Sequence, residues 1–145
     1  MLARLAVIAV LLVVPITGCG SSQKDAYRQD FQSDATQFKK SLAKAAAKVS
    51  RNATLPARAP AIREVRQAVD KLAGDLAGLD PPDELKATHD DAVRQLRTLS
   101  SDLADYGAAA ADNDPKAAAK VVPKVQADQT VLQKTLDQLD REAGS

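Results

Sequence analysis

From Lys24 onward the apolar residues recur every three or four positions. Tyr27, Phe31, Ala35, Phe38, Leu42, Ala45 and Val49 fall on one stripe of a helix that ends near Arg51. Ile62, Val65, Val69, Leu72, Leu76 and Leu79 form a heptad seam on a second helix, from about Pro60 to Leu79. A third helix carries Leu85, His89, Ala92, Leu96, Leu99, Leu103, Tyr106 and Ala110 and ends around Asp112. A fourth carries Ala118, Val121, Val125, Gln129, Leu132, Leu136 and Leu139. No run alternates with the period of a strand.

The breaks between the stripes have their own chemistry. Residues 52–60, with the two prolines of TLPARAP, predict a loop or hinge. Gly78 and Asp80-Pro81-Pro82-Asp83-Glu84 end the second helix and start the third, because tandem prolines offer no amide donors and early carboxylates suit a helix N-terminus. Asp114-Pro115 predicts an N-cap followed by proline at the first helical position. Pro123 is expected to kink the fourth helix or shorten its start. Four amphipathic helices with short second and third connections predict an all-α fold, an antiparallel up-down four-helix bundle over residues 24–145.

Ahead of the stripes lies a segment of another kind. Arg4 is followed by an unbroken apolar run from Leu5 to Val14, the length of a signal-peptide core and too short to span a bilayer as a stable helix. Pro15 breaks the run, and Ile16-Thr17-Gly18-Cys19 follows. That quartet resembles the lipobox of bacterial lipoproteins. The resemblance implies a signal peptide over 1–18, cleavage between Gly18 and Cys19, and a diacylglyceryl group on the Cys19 sulfur. It also implies a protein attached to the extracytoplasmic face of the cell membrane by covalent lipid, with residues 19–23 as a short tether. Two acyl chains are enough for stable attachment, since each buried methylene adds about 0.8 kcal/mol. The body, especially LDPPDELKATHDDAVRQL, is similar to small, alanine-rich, uncharacterised helical lipoproteins of actinobacteria, a likeness that carries no activity with it.

Composition excludes more than it assigns. The 145 residues hold one Cys and one His, and 20 basic against 19 acidic side chains give a net charge of +1. A lone thiol builds no disulfide framework, and near-neutral charge without interleaved aromatics gives no footprint for nucleic acid. No Gly-rich phosphate loop, zinc-binding His-Glu-x-x-His helix or Gly-x-Ser-x-Gly turn is present, so the chain is not expected to be an enzyme and no cofactor is implied.

Charge is uneven along the chain. Residues 24–51 carry seven bases and three acids, whereas residues 81–112 carry three bases and seven acids. In an up-down bundle tethered at residue 19, Asp80, Asp83, Glu84, Asp137, Asp140 and Glu142 gather at the anchored end. Lys44, Lys48, Arg51, Arg58 and Arg63 gather at the far tip. These five residues form a candidate interaction tip for a protein or an anionic envelope polymer, although basic residues late in a helix also complement its dipole as an ordinary solvated end.

Three further residues stand out. His89, on the interior stripe, needs a hydrogen-bond partner such as the Asp83 carboxylate or water. His89 and Tyr106 are the candidate contacts for an alternative function, the holding of an apolar or haem-like ligand between helices, although both fit the core without one. Gln129 interrupts the fourth stripe and is expected to point outward.

Overall fold

The computed structural model describes residues 22–51 and 54–144. They form four helices: α1 (Ser22–Arg51), α2 (Leu55–Ala77), α3 (Lys86–Ala111) and α4 (Pro115–Gly144). Among the described residues there is no strand. The predicted signal peptide, the lipobox and Cys19 lie outside the described residues.

Successive helices run antiparallel, and the polar contacts between them set the register. Near the end of α1, Lys48 Nζ lies 2.6 Å from the Glu64 carboxylate of α2. In the middle of α2 and α3, the Ser100 hydroxyl donates to Asp70. The start of α3 meets the end of α4, where the Thr88 hydroxyl reaches the Glu142 carboxylate. The ring closes between α1 and α4, where Gln32 Nε2 donates to Asp140 Oδ1 at 3.3 Å. α2 and α3 share the most extensive interface, and α1 and α4 the slightest of the four.

The seams predicted from spacing face the interior. Ile62, Val69, Leu72, Leu76, Leu85, Leu96 and Leu139 are almost wholly excluded from solvent. Each such side chain contributes about 1.5–3 kcal/mol of transfer free energy, which makes these aliphatic residues the main support of the fold. In α1, Tyr27, Phe31 and Ala45 are buried, while Phe38, Leu42 and Val49 are half-buried against the same cluster.

The helix ends differ from expectation in three places. α1 begins at Ser22 rather than near Lys24, and therefore takes in the last two residues of the expected tether. α2 begins at Leu55, so most of the expected loop is helical. Pro56 sits in its first turn, where amides have no intrahelical acceptor and a missing N–H costs nothing. Pro60 forfeits one bond, in a stretch where Ala59 and Ala61 are buried against the bundle. The third difference is Pro123, which does not shorten α4: the helix is continuous from Pro115 to Gly144. Pro123 and Ala119, four residues before it, both lie on the exposed face, where water can satisfy the released carbonyl.

The other punctuation is as the residue types imply. Asp114 Oδ1 accepts from the amides of Lys116 at 3.0 Å and Ala117 at 2.9 Å, an N-cap for α4. Asn113 just before it has φ 54°, a left-handed conformation that asparagine tolerates better than most residues. At the other end of the bundle, the Gly78 amide donates to the Gly74 and Asp75 carbonyls at 3.1 Å and closes α2. Leu85, buried ahead of α3, pins the proline turn to the core.

Candidate functional site

Because α1 ends where α2 starts, Lys44, Lys48 and Arg51 of α1 lie at the same end as Arg58 and Arg63 of α2. Lys44, Arg51 and Arg63 are exposed. Lys48 is half-buried and committed to Glu64, through Nζ contacts of 2.6 and 2.7 Å to the two carboxylate oxygens. Arg58 is half-buried and engaged within the chain. The five residues therefore share one end without acting alike: three present their charge to solvent and two are tied to the protein.

The same topology delivers residues that the linear charge pattern does not emphasise. α4 starts at this end, so exposed Lys116 and Lys120 join the basic residues there. The up-down order was the signal that could have located them. Their charge is offset by Asp112 and Asp114 in the adjoining turn. The N-termini of α2 and α4 also point their positive dipole ends this way, and Thr54 makes no side-chain hydrogen bond to cap α2.

Beside the tip, α2 and α3 enclose a shallow trough of about 220 Å³. Its floor is Ala59, Leu103, Ala104, Gly107, Ala108 and Ala111, and its wall is Arg63 and Arg66. Small residues make the hollow, since the alanines and Gly107 on its floor project little from the two helices. Arg66 is held by Asp70 at 3.5 Å and donates to the Ser100 hydroxyl at 3.3 Å. A second hollow of about 350 Å³ lies at the opposite end, along the acidic turn from Asp80 to Glu84.

His89 is buried, and Nδ1 is bonded across the bundle rather than to Asp83. Nδ1 lies 2.9 Å from the hydroxyl of Tyr27, which reaches it from α1 across the bundle. The tyrosine ring meets the imidazole edge-on and stacks on Phe31 with centroids 6.3 Å apart. Burial lowers the pKa of His89 and raises that of Tyr27. Both groups are neutral near pH 7, with the tyrosine hydroxyl donating when the imidazole proton sits on Nε2.

The structure does not bring His89 and Tyr106 together. They stand on one helix about 25 Å apart at 1.5 Å per residue. Tyr106 is half-buried at the tip end, packed against the core. Neither hollow described above is lined by either residue.

In α4 the seam passes through Asp128 and Thr135, and Gln129 points outward into solvent as expected. Among the described residues, no group of three or more His, Cys, Asp or Glu side chains is placed to hold a metal ion. No described helix is long and apolar enough to cross a membrane. Compared with family models, curated proteins and solved structures, the chain matches none.

Proposed function

We propose that this chain is a lipid-anchored extracytoplasmic lipoprotein whose helical bundle acts through contacts rather than chemistry, binding a protein or an anionic envelope polymer with the tip farthest from Cys19. The observation that carries the reading is the clustering of exposed Lys44, Arg51 and Arg63 with the uncapped N-terminus of α2 at one end. Positive side chains and amide dipoles there attract the same sign of partner. The trough walled by Arg63 and Arg66 adds relief to that end, so an anionic chain can be gripped from the side as well as met head-on.

The anchor half of the proposal rests on the Ile16-Thr17-Gly18-Cys19 motif. α1, at 30 residues, is about 45 Å long, several times the roughly 10 Å screening length in physiological salt. A tip carried that far from the lipid senses its partner, not the headgroups. The alternative, an apolar or haem-like ligand between helices, draws no support from the His89 geometry, because Nδ1 is taken by Tyr27 and the ring is met edge-on by the same tyrosine.

The test is charge reversal at the tip. A Lys44→Glu, Arg51→Glu, Arg63→Glu variant lacking the lipid is expected to lose retention on isolated cell envelopes, while Gln129→Glu on an exposed face leaves it unchanged. Equal retention of the reversed and parent proteins rejects the tip as the contact. Separately, Cys19→Ser is expected to move the full chain out of the detergent phase.

A further inference from the structure

The seam of α4 carries an acid where its neighbours carry aliphatic groups. Val125 and Leu132 are buried on either side of Asp128, whose Oδ2 is sealed from solvent and meets no hydrogen-bond donor. Across the interface, Asp128 is within side-chain contact of the carboxyl of Asp102 on α3. The register agrees with this meeting. Thr88 of α3 touches Glu142 of α4, and two heptads further along α3 and back along α4 stand Asp102 and Asp128.

Ionised carboxylates only accept hydrogen bonds. Both aspartates are half-buried, and two carboxyl groups that face one another there can bond only if one of them keeps a proton. We infer that Asp102 and Asp128 form an acid-closed latch between α3 and α4, in which one proton, carried by Asp128 and donated to the Asp102 carboxylate, joins the helices, and whose loss loosens them.

The surrounding charges favour this assignment. Burial and then the contact with Asp102 and its negative charge raise the pKa of Asp128, and Lys124, exposed one turn earlier on α4, pulls it back only in part. From α1, the Gln32–Asp140 register sets exposed Lys44 at this level. From α2, the Asp70–Ser100 register sets uncharged Ala68 there. The other facing acids behave differently. Asp34 of α1 also lies near Asp75 of α2, but Lys71 bonds Asp75 at 2.5 Å and supplies the compensating charge. At the anchored end of the α3–α4 joint, hydrogen bonds from Gln138 and Thr88 hold Glu142 in its ionised form. Asp128 alone in this joint combines a sealed oxygen with a facing carboxylate.

The sign follows from proton linkage. Because the folded chain holds the Asp128 proton more tightly than the unfolded chain, the latch is fully closed below the ordinary Asp range and is lost as pH rises through the raised folded pKa.

The experiment follows thermal unfolding of the full chain in detergent by circular dichroism, from about pH 4 to about pH 8, for the parent, Asp128→Asn and Asp102→Asn. The amide introduced by Asp128→Asn replaces the donated proton permanently, so this variant is expected to melt at least about 3 °C above the parent at the alkaline end and to converge with it at the acid end. Asp102→Asn supplies a donor from the other side and is expected to flatten the profile in the same way. A carboxyl carbon NMR titration of the parent, assigned with the Asp128→Asn spectrum or by selective labelling, is expected to place Asp128 above the ordinary Asp range. Parallel melting profiles, or an Asp128 midpoint in the ordinary range, overturn the latch. The NMR titration decides if a variant does not fold.

Discussion

The hydroxyl of Tyr27 and Nδ1 of His89 lie 2.9 Å apart in the interior, though 62 residues separate them in the chain. Each is the polar atom the other needs. A phenol and an imidazole buried separately would each cost a desolvation penalty, and together they close one hydrogen bond.

Removing one partner is therefore worse than removing both. Tyr27→Phe is expected to destabilise the bundle by about 1–3 kcal/mol, because Nδ1 is left buried without a donor. Tyr27→Phe with His89→Leu is expected to cost less than the sum of the two single changes. Chemical denaturation of the four proteins of that cycle gives the coupling directly.

The same pair predicts a pH dependence. Burial holds His89 below its ordinary value of 6.5, so the unfolded chain takes up this proton first. Stability then falls as pH drops from about 6.5 through the lower folded value. Proton NMR of the single imidazole is expected to show a midpoint below 6.5, and His89→Leu is expected to remove this part of the acid loss.

The cap of α4 is a separate element of stability. Asp114→Ala removes the acceptor for the Lys116 and Ala117 amides and is expected to cost about 1 kcal/mol. Asp114→Asn retains an oxygen there and is expected to recover most of it. Midpoints of urea unfolding distinguish the two.

Gly74 lies exposed within α2, and a Cβ built on it meets nothing within 4 Å. Gly74→Ala is expected to stabilise by about 0.5–1 kcal/mol, since alanine has less backbone freedom to lose on folding. A rise in melting temperature with unchanged helical content checks it.

The four helices and most of the core were legible because leucine and valine at three-four spacing leave little choice of face. The fourth seam was less so. From Val125 to Leu132 the chain offers Asp128 and Gln129, both polar, and the apolar Leu136 draws the pattern toward Gln129. Strict alternation from Ala118 continues instead through Asp128 and Thr135, and packing against α3 selects it. The start of α2 was hidden because prolines read as breakers, whereas one at the second helical position is no break. The basic tip followed from chain order, but the Lys48–Glu64 pair and the Tyr27–His89 bond did not. Contacts between side chains on different helices leave no mark in either residue's own surroundings along the chain.

The extensive interfaces join helices that follow one another, and the slight one joins the first to the last. Assembly can thus advance hairpin by hairpin, each step closing only a few residues of loop, with no slow search for a distant mate. Such a chain is expected to refold in a single fast phase, and the seam where its two ends meet is the place at which it first comes apart.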